Sequence, residues 1–218
     1  MNVYPSILTD EVDQVIDQVD MCRSNPDVQT VQIDVIDGFF ADNITVYPSD
    51  LFPVDFGDLS VDFHLITEEP MDFVHEIRDS KEFLPVRAVI GQLEQMTSQV
   101  DFLKEVKKNG WMAGLSLNLH TPVESINEES WEFLDVIQIM GIKAGFQGQE
   151  FNTAVLNLVS ELRSEIEDRG LDIEIIVDGG VKLDNVTEIK DHGADGVTPG
   201  SALWKAEDFD DAVSDFLN

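Results

Sequence analysis

Residues 172–201 read DIEIIVDGGVKLDNVTEIKDHGADGVTPGS, and this stretch decides the fold. Two β-rich runs, 172–177 (DIEIIV) and 194–198 (ADGVT), each end in a glycine turn. Asp178-Gly179-Gly180 follows the first, and Gly200-Ser201 follows the second and opens a helix. Toward the N-terminus the same alternation continues. Apolar or β-rich runs lie at 2–8 (NVYPSIL), 29–36 (QTVQIDVI), 60–66 (SVDFHLI), 84–90 (LPVRAVI), 111–118 (WMAGLSLN) and 135–140 (DVIQIM). Between most of them the apolar spacing turns to three and four, as in Val12, Val15, Ile16 and Val19, or Phe151, Val155, Leu156, Val159 and Leu162. Strands alternating with such helices mark parallel βαβ units. Eight of them in 218 residues predict a closed (β/α)8 barrel, a TIM barrel, as one domain over 1–218 rather than an open doubly wound sheet. The segment 37–57, with Gly38, Pro48, Pro53 and Gly57, predicts a long loop with at most a short helix. Residues 201–217 predict a closing helix.

Charge narrows the function. Asp and Glu number 44 against 13 Lys and Arg, a net charge of -31, which disfavours nucleic acid as a partner because phosphate-backbone binding needs a basic surface. The acids are spread along the whole chain, as in proteins that work at high salt. At about 1 M ionic strength the screening length falls to roughly 3 Å and such self-repulsion is tolerable. The plainer reading is an acidic protein kept soluble by its charge. No run approaches the roughly 20 apolar residues of a membrane span, and MNVYPSILTDEVD lacks the marks of a signal peptide. A single cysteine, Cys22, fits a reducing cytoplasm and reads as a small buried hydrophobe. A homo-oligomer is compatible with the sequence.

Barrel enzymes of this class place chemistry at the C-terminal ends of their strands, and the unusual residues fall there. Asp34 and Asp37 end the second run, His64 the third and Met140 the sixth, followed by Gly145-Phe146-Gln147-Gly148-Gln149. Asp178-Gly179-Gly180 and Gly200-Ser201 follow the seventh and eighth. Main-chain N–H groups approach a phosphate where no side chain intervenes, so three glycine loops after consecutive late strands predict a phosphate site. An Asp in an apolar strand is costly unless paired, hydrogen-bonded or metal-bound. Asp34 and Asp178 could therefore act as base and acid on two faces of one carbon. The alternative is a buried hydrogen-bonding acid or helix cap, a reading that suits Asp37 and Asp178 taken singly. His64 in company with both aspartates is a candidate ligand or substrate contact, and such Asp/His clusters suit zinc, iron or manganese.

These motifs resemble the ribulose-phosphate 3-epimerase family. The resemblance rests on Pro5-Ser6-Ile7-Leu8, Asp34-Val35-Ile36-Asp37-Gly38, Asp62-Phe63-His64-Leu65-Ile66 and Asn118-Leu119-His120-Thr121-Pro122. Gly145-Phe146-Gln147-Gly148-Gln149-Glu150-Phe151, Val177-Asp178-Gly179-Gly180-Val181 and Gly200-Ser201-Ala202 complete it, from about residue 4 to 205. It implies a barrel of the ribulose-phosphate-binding type that inverts carbon 3 of a ketopentose 5-phosphate through an enediolate. Asp34 and Asp178 would be the acid–base pair. Ser6 and His64 would meet the sugar, and Gly148 with its neighbours in that loop, together with Gly179, Gly180, Gly200 and Ser201, the phosphate; Met140, Gly145, Phe146 and Gln147 would also bind substrate. The loop 141–149 could close over the substrate. The resemblance also implies a divalent metal on two His and two Asp, and Gln32 stands where the first His belongs. Asp34, His64 and Asp178 survive as ligands, so metal affinity should fall. Ile36 and Ile66 replace methionines, Lys143-Ala144 precedes Gly145, and Gln147 replaces a glycine. Lys143 reads as a solvated loop lysine or as a positive charge toward the substrate. Three functions follow: an epimerase of this kind, an isomerase or epimerase of another phosphosugar, or a non-catalytic phosphosugar binder.

Overall fold

Pro5 cuts the first strand in two, and the cut closes the barrel. Proline offers no N–H to a ladder, so residues 2–7 pair to one side before it and to the other after it. In the computed structural model, which describes residues 1–218, β1 (Asn2–Val3) pairs in parallel with β9 (Gly196–Thr198). β2 (Ser6–Ile7) pairs in parallel with β3 (Thr30–Ile36), and the Pro5 carbonyl accepts from Gln32 N at 3.0 Å. Between these edges run β4 (Ser60–Ile66), β5 (Val86–Gln92), β6 (Met112–Leu117), β7 (Val136–Met140) and β8 (Glu174–Asp178), each parallel to its neighbours in chain order. With the two halves of the first strand joined, this is the predicted (β/α)8 barrel.

The crossovers are α1 (Val12–Ser24), α2 (Pro70–Asp79), α3 (Gln99–Lys108), α4 (Val155–Arg169) and α5 (Val186–Asp191). The segment 37–57 carries one short 3-10 turn, Pro48–Leu51, as its composition predicts. The crossover before β7 uses only 3-10 turns, Val123–Ser125 and Glu128–Phe133. Two expectations need correcting. The fourth run, 84–90, starts at Val86 because Pro85 cannot donate to the ladder and gives only its carbonyl, to Val61 N. The closing helix is two helices, α6 (Ser201–Trp204) and α7 (Phe209–Leu217), with Asp208 accepting from Asp211 N as the cap of the second. The break lets Trp204 stack on Phe209 and donate its indole N–H to Ser6 O at 2.7 Å.

Alternation along the strands sorts the interior into layers. Val31, Ile33 and Val35 of β3 join the large apolar core under the helices. Inside the barrel a small plug of Tyr4, Ala88, Ile90, Val136 and Ile176 fills the waist. Beneath it, at the N-terminal strand ends, lie Asp62, Arg87 and Glu174. Above it come the polar side chains Ser6, Gln32, Asp34, His64, Gln138 and Asp178, all buried. An apolar ring of Ile36, Ile66, Met140, Ile142 and Ala144 caps them. No helix is long and apolar enough to cross a membrane.

Cys22 is fully buried on α1, and burial pushes its thiol up to about 12. The thiolate is the reactive form, so the native protein should resist a colorimetric disulfide reagent at pH 8. The same reagent should titrate one thiol per chain after denaturation.

Candidate active site

Two strands that meet only through the barrel bring the two aspartates together. Asp34 lies on the inward row of β3, one step below Ile36, and Asp178 ends β8, while His64 comes from β4 in register with Asp34. His64 Nδ1 lies 3.0 Å from Asp34 Oδ1 and 3.1 Å from Asp178 Oδ2. The Gln32 amide donates to the same two oxygens, at 2.8 and 3.0 Å. Ser6 Oγ donates to Asp34 Oδ2 at 2.7 Å, and Gln138 Nε2 to Asp178 Oδ2 at 2.7 Å. Asp178 Oδ1 alone among the four carboxylate oxygens accepts no protein hydrogen bond, and Asp178 lines the pocket. Thr45 fixes the strand end, donating to Asp34 O at 2.7 Å and accepting from Ile36 N at 2.9 Å.

The electrostatics follow from burial and proximity. Burial and the neighbouring Asp178 charge hold Asp34 above the usual carboxylate range, against the pull of His64 and Ser6. Burial works against a charged His64, but hydrogen bonds and charge from Asp178 and Asp34 override it and push the ring up to about 9. Geometry agrees: Nε2 has Ser116 Oγ at 3.1 Å and, with the Gln92 amide in its satisfied orientation, a carbonyl oxygen at 3.3 Å. Both ring nitrogens thus have an acceptor within reach, an arrangement that favours the doubly protonated, charged ring. The centre is an imidazolium between two carboxylates, one of which is disposed to hold a proton.

Over these acids opens a pocket whose walls include Ser6, Ile66, Met140, Gly145, Phe146, Gln147, Gly148, Gly179, Gly180, Gly200 and Ser201. The site residues expected from the sequence therefore converge, His64 on the acids beneath rather than on the wall. No Lys or Arg lines it, and Lys143 is an exposed loop residue. An anion there would be met by main-chain N–H groups. Gly179 and Gly180 hold φ of +91° and +72°, and a Cβ on Gly179 would sit 2.3 Å from Ile142 Cγ1. The Gln147 side chain lies against Gly200, where a Cβ would meet its Nε2 at 2.5 Å. Gln147 Nε2 also donates to Ser6 O at 3.3 Å. Asp37 does not enter the pocket. It braces the loop, accepting from the main chain of Phe39, Phe40 and Glu68.

Gln138, Gln92, Ser116 and Thr198 were not expected from the sequence. Gln138 holds Asp178, while Gln92 and Ser116 hold His64 Nε2. Thr198 lines the pocket with its hydroxyl buried and without a protein partner. The signal that singled out Asp34, a polar residue in an apolar strand, is present in VIQIM too.

The glycine rim makes a prediction. Gly179→Ala forces a side chain into a left-handed backbone and onto Ile142, a strain of about 1–3 kcal/mol. Calorimetric titration should then show a phosphorylated sugar binding roughly 10- to 100-fold more weakly, with little change for the unphosphorylated sugar.

Comparison with known proteins agrees over the whole chain. The model of the ribulose-phosphate 3 epimerase family matches residues 2–204. A ribulose-phosphate 3-epimerase of Bacillus subtilis is 32% identical over 99% of this chain and 97% of its own length. One of Escherichia coli is 34% identical over 85% of this chain and 81% of its own length. Among solved structures, a 3-hexulose-6-phosphate synthase from Salmonella typhimurium superposes with a TM-score of 0.67 at 13% identity, covering 99% of this chain and 96% of that one. A phosphoribosyl anthranilate isomerase from Thermus thermophilus gives 0.62 at 10% identity, covering 100% and 97%. At these identities the structural likeness speaks to the fold alone.

Proposed function

The chain belongs to the ribulose-phosphate 3-epimerase family, and from that premise we propose that it inverts carbon 3 of a ketopentose 5-phosphate, with Asp34 and Asp178 as acid and base. One observation carries the reading. Two buried carboxylates from different strands stand together beneath a pocket rimmed by glycine backbone. Inverting a carbon beside a carbonyl needs a base on one face and an acid on the other. One carboxylate removes the carbon-3 proton, the C–H electron pair enters the enediolate, and the other carboxylic acid returns a proton to the opposite face. One acid and one carboxylate remain afterwards, with exchanged roles. Asp178 Oδ1, free of protein hydrogen bonds, and Asp34 Oδ2, held by Ser6, are the oxygens that work. The charge on His64 favours negative charge developing beside it.

The phosphate takes the main-chain groups of Gly148, Gly179, Gly180, Gly200 and Ser201. Met140 at the end of β7, with Gly145, Phe146 and Gln147 on the loop 141–149, closes the substrate from above, which would exclude water. Residues 1–218 act as one folding unit, since one apolar core runs from Val3 to Phe216. An unpaired buried thiol supports a reducing, cytoplasmic setting, and the net charge of -31 speaks against nucleic acid as a partner.

Asp34, His64 and Asp178 bring ligand atoms within 4.8 Å of one another and could hold a metal ion. Zinc, iron or manganese suits that chemistry. A full shell fails on this structure, because the side chain that reaches both carboxylates from below, Gln32, presents its N–H and not a lone pair. Such an ion would be weakly held, and no step above runs through it.

A second reading, another phosphosugar as substrate, is favoured by the apolar ring of Ile36 and Ile66 over the acids. Turnover of ribulose 5-phosphate by the purified protein, at low and high salt, tests the first. If neither condition exceeds an Asp34→Asn control, that substrate is wrong. Solvent proton exchange across a panel of sugar phosphates then separates another enzyme from a binder without chemistry.

A further inference from the structure

We infer that Gln32 fits the acid pair for work without a resident metal ion, its amide taking the bridging place between the carboxylates that a cation would hold. The inference rests on the reading of Asp34 and Asp178 as the acid–base pair. Gln32 and Asp34 are two residues apart on β3, so both side chains point into the barrel. From that place the Gln32 amide spans two strands, donating to Asp34 Oδ1 at 2.8 Å and to Asp178 Oδ2 at 3.0 Å. His64 Nδ1 faces the same two oxygens. Each of these oxygens is therefore turned toward N–H donors rather than toward an open coordination point.

The amide and a cation exclude each other for a simple reason. An ion held between Asp34 Oδ1 and Asp178 Oδ2 would take lone pairs that now accept from Gln32 and face His64. His64 Nδ1 would have to lose its proton to become a ligand. Gln32 would have to turn over to offer Oε1. Without an ion, that turn sets a carbonyl oxygen against two carboxylates. In the orientation present, Oε1 is the atom left without a partner, and the two N–H bonds are kept. Gln138 adds another neutral donor, to Asp178 Oδ2. Two amides and the His64 ring thus hold the carboxylates close, which is the positioning task a metal would otherwise perform.

The experiment measures metal and chemistry separately. The purified chain is dialysed against chelator, its zinc, iron and manganese counted by elemental analysis, and zinc(II) and manganese(II) titrated back calorimetrically. Proton exchange into ribulose 5-phosphate in deuterated buffer is followed on the same samples. Expected is far less than one metal per chain, with exchange that is unchanged by chelator. Gln32→His supplies a fourth ligand and should raise zinc affinity on the order of 100-fold. Gln32→Leu, which removes both bridging N–H groups, should slow exchange without rescue by metal. One metal per chain that resists dialysis, or exchange lost on chelation, overturns the inference. So does a Gln32→His protein with unchanged metal affinity. Metal stoichiometry is read whether or not any exchange occurs, so absence of exchange under every condition would sink the acid–base reading and leave the metal question answered.

Discussion

Asp34→Asn and Asp178→Asn should each lower epimerisation of ribulose 5-phosphate by about 10²- to 10⁴-fold, the usual worth of a positioned acid or base. Asparagine keeps the size of aspartate and an oxygen that accepts from Gln32, Ser6 or Gln138, so the fold should survive. What disappears is a group able to hold or take a proton. The two variants should differ in what remains. Inversion needs both carboxylates, because each reaches one face of the carbon. Wash-out of the carbon-3 proton needs only one. Each variant should therefore still exchange that proton with solvent in one of the two epimers without converting it, and the favoured epimer should be opposite in the two variants. Proton NMR in deuterated buffer, starting from each epimer, measures this directly. Exchange of both epimers by both variants would show that neither aspartate is tied to a face. The double variant should be inert toward both.

The barrel was legible in the sequence because its strands are buried on both faces and read as unbroken apolar runs. Each expected strand is present. The errors sit where a single residue outweighs the run: Pro5 splits the first strand, and Pro85 delays the fourth. The break at Asp208 could not be told from an exposed helical aspartate, since its capping bond to Asp211 N forms only once the chain turns there. At the site, Asp34, His64 and Asp178 stood out because burying a charge is costly enough to demand a cause. Gln138, Gln92 and Ser116 are neutral, cost less to bury, and gave a weaker signal. Gln32 was legible as a missing ligand but not as a bridge. Its amide orientation depends on Asp178, which lies 146 residues away and meets it only after the barrel closes.

Arg87→Ala should cost about 3–5 kcal/mol in a urea melt, because it strands the carboxylates beneath the apolar waist. Asp62 is 1% exposed and accepts from Arg87 Nε and Nη2. Glu174 lies 3.3 Å from Arg87 on its other side and accepts from Tyr4 Oη at 2.5 Å. The guanidinium also lies 4.5 Å from the centre of the Tyr4 ring. Removing it leaves two acids near each other with no cation. Lys107, whose pair with Asp135 is exposed, makes the contrast, since Lys107→Ala should cost less than about 1 kcal/mol. In thermal unfolding the Arg87 loss corresponds to roughly 6–20 °C for a chain of this size. The pH dependence carries the sign. Burial holds Asp62 above the usual carboxylate range even with Arg87 present, and Arg87 opposes that rise. Without the arginine the folded-state value climbs further above the unfolded one. The penalty is then full at neutral pH and shrinks as pH falls through the raised folded value and Asp62 takes up a proton. Asp62→Asn in the Arg87→Ala background removes the buried charge and should recover a large part of the loss, with the pH dependence flattened. A loss below about 1 kcal/mol for Arg87→Ala alone would mean that water reaches Asp62, and that the barrel floor is not sealed by this network.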